Sequence, residues 1–264
     1  MAARRRTQWI PNYHGAWAMV GIPPLVGIAI GGFTWTHILV LMLWWIGYFA
    51  FFATGLWLRS GHKSRYFTPV IAYSLPCVAL GLILAFLEPE LLRWVPIFLP
   101  LILVTFRQSA MRRDRSLLND TVTVAAASLM VAVSAHVGSF AHPDLSWSRT
   151  WVTTGFVFGY FMGTVFYVKT NIRERGRTSW LVASIAWHVA WLGCATSISS
   201  HAITIAGIEL SSWHTGLWVV LALRAGAVPL WGARHGWVSA KALGIGEIVF
   251  ALAFSLTLLI PSFS

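Results

Sequence analysis

Charge is what this chain has least of. Only 10% of its 264 residues are Asp, Glu, Lys or Arg, against about 25% in soluble domains, which excludes an ordinary water-facing globular surface. Acid is the scarcer sign, with eight Asp and Glu against nineteen Lys and Arg. Cysteine is limited to Cys77 and Cys194, both inside apolar runs and without ligand-like spacing; they read as small buried hydrophobes, so neither a metal framework nor a redox compartment follows from them. Long linkers and low-complexity tracts are lacking too, and residues 1–264 read as a single transmembrane domain. No small-residue cleavage site closes the first apolar run, so the first helix is expected to be retained.

What is there is hydrophobic. Apolar residues make up 57% of the chain and the mean hydropathy is +0.70, which places it among polytopic membrane proteins. Crossing a bilayer core takes about 17 to 25 apolar residues, and nine stretches qualify: 16–33, 36–57, 68–87, 91–107, 119–137, 151–168, 178–198, 212–230 and 242–261. The expected fold is therefore all-α, a polytopic bundle of about nine transmembrane helices. The fourth stretch is the least regular, because Arg93, Pro96 and Pro100 interrupt it, and its prolines are expected to kink it.

The basic residues test this count independently, since successive loops must alternate sides. One side receives Arg4–Arg6, then Arg59, Lys63 and Arg65, then Arg107, Arg112, Arg113 and Arg115, then Lys169, Arg173, Arg175 and Arg177, then Arg234 and Lys241. These are sixteen of the nineteen Lys and Arg; Arg93 and Arg149 fall opposite and Arg224 lies within a helix. By the positive-inside rule the N-terminus is expected in the cytoplasm and the C-terminus outside. The net charge of +11 is thus a feature of membrane loops, and no nucleic-acid partner is expected. Tryptophans near the predicted ends, including Trp35, Trp147, Trp151, Trp180, Trp213, Trp231 and Trp237, suit the interfacial belt.

The most concentrated charge is the run Tyr167–Arg177, YVKTNIRERGR. If the preceding helix continues through it to Gly176, Lys169 and Arg173 fall on one face, as do Tyr167 with Asn171 and Thr170 with Glu174. Two readings stand: cations aimed at an anionic ligand, or a stop-transfer loop obeying the positive-inside rule. Other polar residues lie within or beside the spans, where a charge costs about 2.5 to 3.5 kcal/mol. His14 opens the segment HGAW. Asn119 and Asp120 begin the fifth span, as ligand groups or as helix caps. Arg224 and Glu247 lie at matching depth on consecutive spans, and an ion pair is the economical explanation of both. His188 reads as a core histidine bonded to a neighbouring helix. His136, His142, His201 and His214 are scattered on the opposite side and match no metal site. The candidate ligand-binding set is His14, Asn119, Asp120, Lys169, Asn171, Arg173, Glu174, Arg177, Arg224 and Glu247; of these, His14, Asp120, Lys169, Arg173, Glu174, Arg224 and Glu247 are expected to line a cytoplasm-facing cavity, and no metal ligand and no catalytic residue is assigned.

HGAW at 14–17, RSLLND at 115–120, YVKTNIRERGR at 167–177 and GIGEI at 244–248 together resemble the YwiC-like family of bacterial integral membrane proteins, nearly end to end. A more distant likeness is to the UbiA superfamily of intramembrane prenyltransferases, which it resembles in span number, N-terminal side and polar loops after spans two and six. In that superfamily the two loops carry Asp-rich motifs holding magnesium against a prenyl diphosphate. Here they read LRSGHKSRYFTP and YVKTNIRERGR, without an aspartate, so magnesium enters only if the chain is a prenyltransferase. Three functions remain open: a UbiA-like or degenerate enzyme on an isoprenoid, with Lys169, Arg173 and Arg177 on a diphosphate and Asp120 or Glu174 as metal or proton acceptor; a non-enzymatic lipid-binding or assembly protein; or a small-solute or proton-coupled transporter using Arg224, Glu247 and His188. The expected partner is a membrane lipid or a polyprenyl phosphate, bound through Lys and Arg.

Overall fold

The computed structural model describes residues 9–11, 14–205 and 208–260. Among these, nine α-helices and no strand occur: α1 (His14–Gly31), α2 (Thr36–Arg59), α3 (Phe67–Leu87), α4 (Val95–Ala110), α5 (Leu117–Ser139), α6 (Trp147–Ile172), α7 (Thr178–Ser199), α8 (Ser212–His235) and α9 (Ala240–Leu259). Eight are long and apolar enough to cross a membrane when the short 3-10 segments before α3 and α4 are counted with them, and the apolar part of α1, Ala16–Gly31, is shorter. The protein is a polytopic helical bundle, and each predicted span coincides with one helix. Serines cap four of the helices: Ser116, Ser146, Ser211 and Ser239 each accept a bond from the backbone N–H three residues on, satisfying a donor that the helix itself leaves unpaired.

Two expectations are corrected at helix ends. The fourth span begins as a 3-10 segment, Pro89–Trp94, and becomes α-helical at Val95 with Pro96 in the first turn. A proline there lacks only an N–H that would have no partner, so Pro96 starts the helix where a kink was expected. The sixth span is longer than its apolar run but ends at Ile172, with Arg173 as its cap. Gly176, at φ +74°, belongs to the turn beyond it. The helix therefore does not carry the basic run as a continuous face.

Contacts divide the chain into two compact units, Met1–Asp144 and Leu145–Ser264. In the first, α1 lies closely along α5 because glycines meet backbone. A Cβ on Gly27 would overlap the Val131 carbonyl, one on Gly31 the Ala135 backbone, and one on Gly138 the Gly31 carbonyl. Small residues at this spacing let membrane helices approach until dispersion and weak polar contacts hold them. His37 ties α2 to α5: its Nδ1 accepts from Thr34 N–H at 2.9 Å and its Nε2 donates to the Ser134 carbonyl at 2.8 Å. The apolar core joins Val40, Leu84, Trp94, Met130, Val133 and Val137.

The second unit has an aromatic core built on α6. Gly155, Gly159 and Gly163 repeat every fourth residue, and a Cβ at Gly159 would overlap the Trp191 ring. Trp187 donates to the Gly159 carbonyl at 2.8 Å. Trp191 stacks on the fully buried Trp218 at 6.0 Å, and Tyr160 on Phe254 at 4.5 Å. Tryptophan thus serves in two places. Trp35, Trp147, Trp151, Trp213 and Trp231 are exposed near helix ends as the interfacial reading expects, whereas Trp218 fills the interior.

Candidate functional site

The polar centre of the second unit is assembled from α6, α8 and α9. Arg224 and Glu247 are 9% and 6% exposed and form the expected pair in its two-pronged form, Nη1 to Oε1 at 2.6 Å and Nη2 to Oε2 at 3.2 Å. The planar guanidinium is held between two rings, 4.3 Å from the centroid of Tyr167 and 4.1 Å from that of Phe250. Cation–π attraction strengthens where water is excluded. Thr164 donates its hydroxyl to Glu247 Oε2 at 2.8 Å, and the Tyr160 hydroxyl donates to the Glu247 carbonyl at 3.3 Å. Each charge is expensive alone in an apolar interior; paired, bonded and covered by rings, the two become one neutral unit. Both terminal nitrogens of Arg224 are committed to the carboxylate.

Sequence reasoning missed the α6 contribution. Tyr160, Thr164 and Tyr167 are spaced four and three apart, which is one helix face. That spacing was the available signal.

His188, from α7, is buried and donates from Nδ1 to the Ser184 carbonyl at 2.7 Å. Its bond stays within its own helix, where a neighbouring helix was expected. His214 is the cross-linking histidine instead. Trp218 Nε1 donates to its Nε2 at 3.1 Å, so the proton sits on Nδ1, which reaches Thr257 Oγ1 on α9 at 3.0 Å.

The basic run occupies the C-terminal end of α6. Lys169 is 8% exposed, with its Nζ 5.3 Å from the centroid of the Trp180 ring. Arg173, Arg175 and Arg177 are exposed. Arg175 donates from Nε to the Asn171 carbonyl at 2.6 Å and lies over Trp237 at 5.3 Å. Arg177 pairs with Glu174. Asn171 is buried and donates to the Tyr167 carbonyl at 2.9 Å. The expected stripe is therefore split, because the helix stops after Ile172: Lys169 is enclosed and Arg173 faces outward.

The remaining candidates belong to the first unit. Asn119 does not cap α5, since Ser116 does; its Nδ2 donates to the Asp114 carbonyl at 2.8 Å. Asp120 lies in the first turn of α5, where a negative charge suits the helix dipole. His14 opens α1, and its side chain lies outside the described residues, as do Arg4–Arg6. Sequence reasoning also passed over Asp114, which takes Arg59 Nη1 at 3.2 Å and the Ser109 hydroxyl at 2.7 Å.

The donor set does not suit magnesium. The turn after α6 offers one acid, Glu174, already paired with Arg177, and the turn after α2 offers none. Among the described residues no three His, Cys, Asp or Glu are grouped to hold a metal ion. No step through magnesium is derived for this chain.

Known proteins resemble the chain at the level of sequence. Residues 10–135 match the model of the family described as YwiC-like protein. A Bacillus subtilis (strain 168) protein described as uncharacterized protein YwiC is 29% identical over 250 residues, 93% of this chain and 94% of that protein. A Haemophilus influenzae protein described only as uncharacterized is 24% identical over 189 residues, 68% of this chain and 74% of that protein. No solved structure matches the chain significantly. The family match covers α1 and most of the first unit, and the Bacillus likeness runs on through the second: this chain is a multi-pass helical membrane protein similar in sequence to the YwiC-like proteins.

Proposed function

We propose that the chain binds an anionic lipid headgroup, such as a polyprenyl phosphate, at the cationic end of its second unit, and does so without carrying out chemistry on it. The observation that carries this reading is the clustering of exposed Arg173, Arg175 and Arg177 in the turn that closes α6, beside Lys169 and the rings of Trp180 and Trp237. Arginine forks match phosphate oxygens, and indole rings favour the depth of a headgroup. Arg224 is left out of the ligand set because Glu247 occupies its fork. The donor set, poor in acids, favours binding over magnesium-dependent prenyl transfer. In this reading the basic turns face the cytoplasm across a bacterial inner membrane.

A second reading, coupled transport of a small solute, is favoured by one observation: a hydrogen-bonded Arg–Glu pair in the middle of two membrane helices, a position where ionisable groups commonly serve a pathway. One experiment tests the first reading. In full-length protein at matched expression, Lys169→Gln with Arg173→Gln is expected to weaken retention of a polyprenyl phosphate at least tenfold, while Arg112→Gln with Arg113→Gln changes it little. Equal losses from the two pairs would reduce the cations to readers of the membrane surface and withdraw the site.

A further inference from the structure

In the first unit, one histidine fastens the 3-10 segment Pro89–Trp94 to α5. Trp94 Nε1 donates to His136 Nδ1 at 3.1 Å, and the two residues are 6% and 3% exposed. A ring nitrogen that accepts from an indole carries no proton, so the proton of the neutral imidazole sits on Nε2. That nitrogen lies 3.5 Å from Glu90 Oε2, which also takes Arg93 Nη2 at 2.8 Å. The Glu90 side chain is 60% exposed, so the line of contacts runs from the interior out to the surface. Phe140 stands edge-on to the imidazole at 4.9 Å. Charged and titratable groups around the ring are few. The segment brings Glu90 and Arg93, and Glu88, just before it, takes the Thr36 hydroxyl at 3.3 Å. From α2 comes His37, whose Nε2 is committed to the Ser134 carbonyl, and His142, after α5, packs on Gly32. Among the described residues, α1 and α4 bring no titratable group at this end.

We propose that His136 is an acid-sensitive latch: a second proton, taken from solvent at Nδ1, turns the acceptor of the Trp94 bond into a donor and frees the Pro89–Trp94 segment from α5. Two N–H groups then face each other in a buried site, and the bond between the rings is lost. The imidazolium keeps its counter-ion, because Nε2–H still faces Glu90. The segment is the part that gives. Its 3-10 turns are held by poorer hydrogen bonds than those of an α-helix, and such stretches often mark hinges. Trp94, with Leu91 packed against it, belongs to the apolar core around Val133 and Val137, so release loosens the first unit at this rim. One crossing, α3, separates the segment from the basic turn after α2, and the latch therefore responds to acidity on the side opposite that turn. It lies outside the cationic end of the second unit and stands or falls independently of the function proposed there.

The test uses full-length protein in detergent with nitrogen-15 in its indoles, taken from about pH 7.5 to about pH 5, where histidine titrates. The Trp94 indole resonance, assigned by its absence from Trp94→Phe, is expected to shift on acidification. That of Trp44, which donates to the Val20 carbonyl at 2.8 Å, should stay in place because its acceptor does not titrate. In His136→Asn, whose amide oxygen can accept from the indole without titrating, the Trp94 resonance should stay in place as well. The parent protein should lose thermal midpoint over the same pH range. That loss should fall to about half or less in His136→Asn and in Trp94→Phe, which has no donor left to displace. Each variant is compared with itself at two pH values, so a lower midpoint at neutral pH does not alter the comparison; if one variant fails to fold, the other and the parent's Trp94 resonance decide. A Trp94 resonance that holds across the range in the parent, one that shifts equally in His136→Asn, or an acid loss of midpoint undiminished in either folded variant overturns the proposal.

Discussion

Arg224 and Glu247, on α8 and α9, meet fork to carboxylate with contacts of 2.6 and 3.2 Å in a part of the bundle where each is almost fully enclosed. Removing one partner of such a pair typically costs about 3 to 5 kcal/mol, because the other charge stays buried and unpaired, whereas replacing both by apolar groups is often nearly neutral. Arg224→Met and Glu247→Met should each lower the thermal midpoint more than the double substitution does. Additive losses in that cycle would show that the two charges are not coupled.

Gly138 should be as intolerant of a methyl group as Gly81 is indifferent to it. A Cβ at Gly138 would strike the Gly31 carbonyl, a backbone atom that cannot rotate away, while one at Gly81 meets nothing within 4 Å. Gly138→Ala is expected to destabilise the first unit by about 1 to 3 kcal/mol through overpacking. Gly81→Ala should be neutral or slightly stabilising, since alanine favours helix. Equal midpoints for the two variants would remove the close α1–α5 approach from the account.

The hydrogen bond from Trp218 to His214 can be separated from the space His214 fills. His214→Phe keeps a ring but takes away the acceptor, leaving the indole N–H of a fully buried tryptophan without a partner. The expected loss is about 1 to 3 kcal/mol. Adding Trp218→Phe should recover part of it, because no donor then remains to satisfy. A double variant less stable than His214→Phe alone would mean that packing, and not the bond, sets the cost.

Topology is open to labelling from either side. In a chain with Cys77→Ala and Cys194→Ala, Glu174→Cys should react with an impermeant maleimide only from the cytoplasm and Asp144→Cys only from the opposite side. Glu174 follows the end of α6 and Asp144 precedes its start, so one membrane crossing separates them. Reaction of both from one side would contradict the placement of α6 as a span.

Helix number and placement were legible in the sequence because they follow from solvent: an apolar run of about twenty residues has one low-cost conformation in a bilayer. The Arg224–Glu247 pair was legible for a related reason, since two opposite charges at equal depth have few other ways to be tolerated. The end of α6 was not. YVKTNIRERGR contains no helix breaker before Gly176, so its composition allows the helix to continue, yet the chain turns after Ile172, with Lys169 against Trp180 and Arg175 against Trp237. A void in the second unit lined by Arg149, Phe156 and Leu258 was equally hidden, as its walls come from residues about 110 positions apart. Periodicity reports which face of a helix is apolar. Which aromatic ring covers a lysine, which threonine completes a carboxylate and where helices leave a void depend on contacts distant in sequence, and these the packing of the helices alone decides.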